Sequence, residues 1–267
     1  DVTNIIREFT KSLIDELAED IVMIKPNLKF YEALGMEGFL KELTKHAQKK
    51  DLLVIIDSKG NDILTSMEKH YEAMFKVYNA DAITVNAYMG SDVIQPFHKY
   101  GKEAKGIFIL VKTSNPSSNE FQDLFSINVE IDKFTHEIST DRIIGKTLKR
   151  NYIHMAELIK KWGTEYIGDQ GYSSIGAVVG ATYPQEMNKI REILPHHFFL
   201  IPGYGAQGGS INTISSSINA DGLGAIINSS RGIMYAWNKQ GLKGTDYLKA
   251  ASKEVGMMKK DLAQFLK

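Results

Sequence analysis

Short apolar runs alternate with stretches of helical periodicity along most of the chain. Seven runs are apolar at successive positions, which is typical of strands buried on both faces of a parallel sheet. They lie at residues 21–24, 52–56, 82–86, 106–111, 175–179, 198–202 and 225–228. The segments between them repeat apolar residues every three or four positions, as amphipathic helices do. This spacing predicts helices at 4–18, 39–47, 67–78, 144–162, 184–194, 211–218 and 245–266.

Strands and helices that alternate in this way produce right-handed βαβ units and a parallel sheet, either doubly wound or closed as a barrel. The fold class that we predict is α/β, a TIM (β/α)8 barrel. Because the sequence opens with a helix, the seven runs leave the first strand of that barrel missing. No linker rich in Pro, Gly or Ser divides the chain, so residues 1–267 are expected to form a single barrel domain. The irregular stretch 115–141 is long enough to indicate a functional or mobile loop.

Composition narrows the class of protein. Hydrophobic residues make up 43% of the chain and charged residues 24%, a balance that excludes disordered and fibrous classes. Lys plus Arg equals Asp plus Glu, at 32 each, so no broad basic field for nucleic acid or an anionic membrane is expected. The absence of cysteine excludes disulfides and thiolate chemistry. No apolar run has the length of a membrane span and no secretory signal is visible, so a cytoplasmic protein is expected.

Charged side chains cluster where the second predicted strand ends. Asp57 and Lys59 are two positions apart, so on a strand both point the same way, and Asp62 follows in the next loop. Lys25 ends the preceding strand, and consecutive strands are usually neighbours. Since barrel active sites form at the carboxyl ends of strands, these four residues predict an alternating charge array in one cavity. Ordinary strand-end charges in a solvated loop are the alternative interpretation.

Two loops late in the chain have the features of a phosphate site. Residues 202–209 contain four glycines after one predicted strand, and residues 228–232 follow the next. Loops after the last two strands of such barrels often bind phosphate, because glycines let backbone N–H groups approach and helix N-termini add their dipoles. Arg231 can supply a bidentate guanidinium and Gln207 a neutral donor. Each loop taken singly is more often a turn than an anion site, but the two together, after the last two strands, favour phosphate.

Two more predicted strands end in polar residues, Asn86 in one case and Thr113 with Ser114 in the other. Turn chemistry explains such residues without a ligand, although Ser114 is well placed to recognise a small polar ring. The seven histidines show no metal-binding spacing, so packing or surface roles are expected for them.

Six segments resemble, in order, the signatures of the orotidine 5′-monophosphate decarboxylases, in the longer subgroup of many bacteria and apicomplexan parasites. They lie at residues 25–32, 57–63, 84–90, 111–116, 202–209 and 230–232. The resemblance implies a homodimeric enzyme that converts orotidine 5′-monophosphate (OMP) to UMP and CO₂ without a cofactor or a metal. This reaction is the last step of de novo pyrimidine synthesis.

The resemblance also implies residue roles. Lys59 matches the proton donor to C6, Asp57 the carboxylate placed against the substrate's carboxylate, and Lys25 the lysine that orders Asp57 and touches the ribose. Asp62 matches an aspartate that crosses to the partner subunit's site. The implied substrate-binding residues are Ser114 at the pyrimidine, Gln207 between base and phosphate, Arg231 at the phosphate, and Asn86, Thr113, Pro202, Gly208 and Gly232. Ser66 stands where the family has a threonine that reaches the partner's ligand, and Gly60 where a basic or bulky residue is usual.

Two other functions are weighed against this one. A different phosphate-binding barrel enzyme, such as a sugar-phosphate decarboxylase or aldolase, would use the acidic residues of the D-x-K-x-x-D segment to hold a divalent metal. A non-catalytic nucleotide-binding protein would retain only the phosphate loops.

Overall fold

Seven parallel strands form the sheet that organises the protein. The computed structural model describes residues 2–128, 147–205 and 211–265, apart from the side chain of residue 211. The sheet runs in the order β1-β2-β3-β4-β7-β8-β9, and β5 pairs antiparallel with β6 in a separate hairpin. The strands are β1 Met23–Ile24, β2 Leu53–Gly60, β3 Ala82–Val85, β4 Gly106–Lys112, β5 Phe125–Ser126, β6 Lys149–Arg150, β7 Ser173–Val179, β8 His197–Pro202 and β9 Ala225–Asn228.

This strand order is that of a (β/α)8 barrel, because each strand of the sheet lies beside the next sheet strand along the chain, with the hairpin inserted between β4 and β7. All seven predicted strands are present and the predicted α/β class is confirmed. Within the described residues β1 and β9 form the two edges of the sheet, each pairing with one neighbour only.

Helices connect the strands and cover the sheet. They are α1 Val2–Leu17, α2 Leu28–Glu32, α3 Glu37–Gln48, α4 Leu64–Glu72, α5 Asn151–Gly163, α6 Pro184–Ile193, α7 Ile211–Ile214, α8 Arg231–Met234, α9 Ala236–Lys239 and α10 Tyr247–Ala263. Shorter 3-10 helices lie at Ala87–Val93, Gln95–Lys99, Pro116–Glu120, Thr164–Tyr166, Ser215–Ser217 and Gly244–Asp246, and α4 continues as a π-helix at Ala73–Val77. Among the described helices none is long and apolar enough to cross a membrane.

Two predicted segments differ from the structure. The helix expected at 144–162 begins only at Asn151, because Lys149 and Arg150 are extended and pair with Ser126 and Phe125 in the hairpin. The stretch expected to be irregular from residue 115 contains the 3-10 helix Pro116–Glu120 and strand β5. Its remainder from residue 129 lies outside the described residues.

Both faces of the sheet are buried, which explains the continuous apolar runs. Side chains such as Ile56, Ile83 and Ile107 belong to the main core cluster shared with the helices. The opposite face forms a smaller cluster of Ile55, Phe108, Val178 and Leu200. Its packing is close, since a Cβ on Gly176 would lie 2.6 Å from the Phe108 ring. The layered sheet interior holds the strand ends, and the polar residues that follow them, in fixed positions.

Candidate active site

Asp57 lies between two lysines at the carboxyl ends of β1 and β2. Lys25 Nζ is 2.9 Å from Asp57 Oδ2, and Lys59 Nζ is 2.6 Å from Asp57 Oδ1. The side chains of Asp57 and Lys25 are 9% and 14% exposed, whereas that of Lys59 is 49% exposed. The structure therefore brings together the three residues expected from neighbouring strands, and Lys59 is the most exposed of them.

Two residues that the sequence did not single out complete the environment of Asp57. Thr84 Oγ1 donates to Asp57 Oδ1 at 2.8 Å, and Asn27 Nδ2 donates to Oδ2 at 3.3 Å. Burial alone would raise the pKa of Asp57, but the charge of Lys25 and the hydrogen bonds from Lys59 and Lys25 outweigh it and hold the pKa at about 2. Asp57 is therefore an anion at neutral pH, with donors on both oxygens.

Lys59 has an unusual backbone for a strand residue. Its φ angle is 49°, in the left-handed region, and the pairing of β2 with β3 shifts register between Ile56 and Gly60. Asp57 and Lys59 therefore meet as expected, but Lys59 reaches Asp57 from a left-handed backbone and not by regular strand alternation. The Lys59 N–H donates to Thr84 Oγ1 at 3.0 Å, which fixes this turn of the chain.

His70 explains why a glycine occupies position 60. A Cβ on Gly60 would lie 2.3 Å from His70 Nε2, so the imidazole takes the space that a larger side chain at position 60 would need. Ser58 Oγ donates to the Thr84 carbonyl at 3.0 Å and lies 3.1 Å from His70 Nε2. Burial lowers the pKa of His70, so the ring is neutral at ordinary pH and packs beneath the site.

Asp62 is not a member of the charge array within one chain. It makes no hydrogen bond or ion pair with Lys25, Asp57 or Lys59, and its carboxylate instead accepts from the Ile63 N–H at 2.8 Å. The sequence predicted an array of four charged residues, and the structure groups three of them, Lys25, Asp57 and Lys59. Asp62 and Ser66 are exposed, and so are the apolar side chains of Ile63 and Leu64 beside them.

The polar residues after β3 and β4 have different surroundings. Asn86 Oδ1 accepts from the Tyr88 N–H at 3.1 Å and so caps the 3-10 helix Ala87–Val93, as turn chemistry predicts. Thr113 Oγ1 donates to Asn115 Oδ1 at 2.6 Å. The hydroxyl of Ser114, in contrast, has no hydrogen-bond partner in the described part of the chain.

The two predicted phosphate loops start side by side, because Pro202 at the end of β8 pairs with Asn228 at the end of β9. Arg231 is the first residue of α8 and is exposed, and its guanidinium forms no ion pair with any described residue. Gly232 packs tightly, since a Cβ there would lie 2.6 Å from Ser229 Oγ. Gln207 and Gly208 lie outside the described residues.

Comparison with known proteins identifies the family. The model of the Orotidine 5′-phosphate decarboxylase / HUMPS family matches residues 1–241. An orotidine 5′-phosphate decarboxylase of Caldicellulosiruptor bescii is 40% identical over 246 residues, which cover 87% of this chain and 74% of that protein. One from Clostridium botulinum (strain Langeland) is 38% identical over 258 residues, or 95% of this chain and 83% of the relative.

Solved structures agree with this assignment. The OMP decarboxylase of Leishmania donovani superposes with a TM-score of 0.75 and 29% identity, covering 97% of this chain and 87% of the other. The UMP synthase of the same organism gives a TM-score of 0.77 and 30% identity over 97% of this chain, which spans 50% of that longer protein. The chain therefore belongs to the orotidine 5′-phosphate decarboxylase / HUMPS family.

Proposed function

We propose that this protein decarboxylates OMP to UMP and CO₂, with the Lys25–Asp57–Lys59 array at the reacting carbon. The observation that carries this proposal is an ionised, buried carboxylate placed between two ammonium groups, one of which belongs to the half-exposed side chain of Lys59. The named relatives are orotidine 5′-phosphate decarboxylases, and this reaction completes UMP synthesis.

Lys59 supplies the positive charge that the reaction requires. When the bond between C6 and the carboxylate breaks, the electron pair stays on C6 as a carbanion that the pyrimidine ring delocalises poorly. A fixed ammonium stabilises this charge as it develops and then transfers one proton from Nζ to C6. Water returns a proton to Lys59 after the product leaves.

Asp57 and Lys25 hold Lys59 ready for that step. Because Asp57 is ionised and bound at 2.6 Å, the Lys59 ammonium is oriented before substrate arrives. Lys25 binds the other carboxylate oxygen and so fixes the rotation of Asp57. Repulsion between Asp57 and the substrate's carboxylate would add to this, but preorganised electrostatics accounts for the larger share.

Recognition of the rest of the substrate falls to the neighbouring strand ends. Ser114 contacts the pyrimidine and Arg231 the phosphate; the exposure of Arg231 and the half-buried hydroxyl of Ser114, which has no partner among the described residues, support these roles. Gln207 and Gly208 complete the phosphate loop in this proposal. Asn86, Thr113, Pro202 and Gly232 shape the walls of the same site.

The active form is a homodimer in which Asp62 and Ser66 reach the partner subunit's site. Ile63 and Leu64, which lie between these two residues, are 55% and 44% exposed in the single chain, and burying them against a second copy would be favourable. The cytoplasmic location stays a prediction. The single-domain organisation is supported by a core cluster with members from Ile14 to Met258.

A metal-dependent reaction at the same acidic residues is disfavoured by charge. Both oxygens of Asp57 already face an ammonium group, and a divalent cation placed there would be repelled by Lys25 and Lys59. Within the described ranges no three His, Cys, Asp or Glu side chains are grouped as metal ligands.

The test is the ultraviolet decay of OMP with purified protein in excess chelator. Turnover by the parent, loss in Lys59→Ala and retention in Lys69→Ala would support the proposal, since Lys69 is an exposed lysine paired with Glu72 on α4. Activity that the chelator abolishes would favour the metal-dependent enzyme. Tight UMP binding without turnover would favour the nucleotide-binding protein.

A further inference from the structure

Lys112, the last residue of β4, has a completely buried side chain. Its Nζ donates to Asp123 Oδ2 at 2.9 Å and to Ser118 Oγ at 3.3 Å, and it lies 4.3 Å from the centre of the Tyr183 ring. A buried ammonium is costly unless it is paired and hydrogen-bonded. The cluster formed by these four residues must therefore stay assembled whenever the protein is folded.

The Lys112 cluster joins two loops at the carboxyl edge of the sheet. Ser118 and Asp123 belong to the segment that follows β4, whereas Tyr183 belongs to the loop after β7. Ser118 Oγ and Tyr183 OH are themselves hydrogen-bonded at 3.2 Å. The buried charge thus fixes the position of the β4 loop relative to the β7 loop.

Thr113 and Ser114, which follow Lys112, are held in place by contacts with two other segments. Gln122 accepts from the Thr113 N–H at 2.9 Å and donates to Thr113 Oγ1 at 2.8 Å. On the other side, a Cβ on Gly180 would lie 3.0 Å from Ser114 Cα, and the Gly180 N–H donates to the Lys112 carbonyl at 2.7 Å. The Ser114 backbone is therefore fixed while its hydroxyl has no partner among the residues that the structure describes.

We propose that Lys112 is a positioning residue for pyrimidine recognition. Its ammonium holds Ser118 and Asp123, which belong to the β4 loop, and thereby sets where Ser114 presents its hydroxyl, without touching the substrate. This inference rests on the proposed function, in which Ser114 contacts the pyrimidine. The phosphate loops after β8 and β9 have no residue in the Lys112 cluster, so binding of the phosphate group should not depend on it.

The experiment compares the binding of UMP and of ribose 5-phosphate. Both ligands contain a ribose and a phosphate, but only UMP carries the pyrimidine base. In Lys112→Met, we expect the Kd of UMP to rise about 10-fold or more, as a displaced contact would produce, with the Kd of ribose 5-phosphate changed less than about twofold. KM for OMP should rise with the Kd of UMP. Lys105→Met is the matched control, because Lys105 is another little-exposed lysine near an aspartate, Asp81, but precedes the amino end of β4.

Lys112→Met leaves Asp123 with only the Arg150 guanidinium, 3.4 Å from its other oxygen. The double variant Lys112→Met/Asp123→Asn removes both the ammonium and the carboxylate, and it provides a second variant if the first does not fold. Unchanged UMP binding in a folded variant overturns the positioning role. Equal weakening of UMP and ribose 5-phosphate also overturns it, because that result indicates a general structural effect. A parent protein that neither binds UMP nor converts OMP would instead overturn the proposed function, and this inference with it.

Discussion

Lys25 and Lys59 bind opposite oxygens of the same carboxylate, that of Asp57, at 2.9 and 2.6 Å. The three side chains carry one net positive charge, and the negative member is the most buried of them. Rotation of Asp57 would break both ion pairs at once, so the position of the Lys59 ammonium depends on every group that restrains this carboxylate.

Thr84 is one such restraint, and Thr84→Val removes its hydroxyl while keeping the shape of the side chain. Asp57 then loses a donor and the Lys59 N–H loses its acceptor. We expect kcat to fall about 10-fold, since a hydrogen bond to a buried charge contributes about 1.5–3 kcal/mol. Thr44→Val is the control, because its buried hydroxyl binds only the Leu40 carbonyl within α3. An unchanged kcat in folded Thr84→Val would contradict this role.

Asp57 should make stability depend on pH at the acidic end. Its folded pKa of about 2 lies below the ordinary value of 3.8, because the lysines outweigh the effect of burial. The ionised group therefore favours folding above about pH 4, and this contribution, about 2 kcal/mol, is lost as the pH falls through 2. The free energy of unfolding, measured with denaturant between pH 5 and pH 2, should therefore lack this pH-dependent loss in Asp57→Asn. The control variant Asp169→Asn, which changes an exposed aspartate, should show the same loss as the parent.

Gly60→Ala should destabilise the fold through its contact with His70. A Cβ at position 60 would overlap the imidazole, and moving the ring breaks its contact with Ser58. We expect a loss of about 1–3 kcal/mol in the free energy of unfolding, as overpacked sites show. The double variant Gly60→Ala/His70→Ala frees the space and should recover part of that loss. A double variant that is less stable than Gly60→Ala would show that the clash is not the cause.

Arg231→Ala should weaken binding of ligands that carry a phosphate. A charge-assisted hydrogen bond is worth about 1.5–3 kcal/mol, so the Kd of UMP should rise about 10- to 100-fold while that of uridine stays the same. Lys239→Ala, which removes a 68% exposed cation from the following helix, should bind both ligands as the parent does. Equal losses for UMP and uridine would remove Arg231 from the phosphate site.

Mixed dimers can test whether Asp62 acts across the interface. Lys59→Ala and Asp62→Ala should each be nearly inactive alone, but a two-fold symmetric dimer containing one chain of each has one intact site. After the two variants are unfolded and refolded together, we expect about one quarter of the parent activity. Refolding each variant alone is the control. No recovery in a sample that contains mixed dimers would show that Asp62 acts within its own chain.

The strands could be predicted from sequence because burial on both faces produces unmistakable apolar runs, and their order placed Lys25 beside Asp57. The hairpin of β5 and β6 could not be predicted from sequence, since each strand has only two residues and the alternation of apolar and polar residues typical of a strand is absent at Lys149–Arg150. Thr84 and Asn27 were missed because their roles depend on hydrogen bonds to a residue far along the chain. His70 and Lys112 were missed for the same reason, since each acts at a site formed by separate elements.

The left-handed backbone at Lys59 has a consequence for any attempt to improve the protein. This conformation is unfavourable for a residue with a side chain and costs of order 1 kcal/mol, a penalty that glycine would not carry. The ion pair of Lys59 with Asp57 opposes this penalty, so the strain and a compensating interaction lie at the same residue, the one proposed as the proton donor. Glycine at position 59 would relieve the backbone strain, but it would also remove the ion pair with Asp57 and the proposed proton donor.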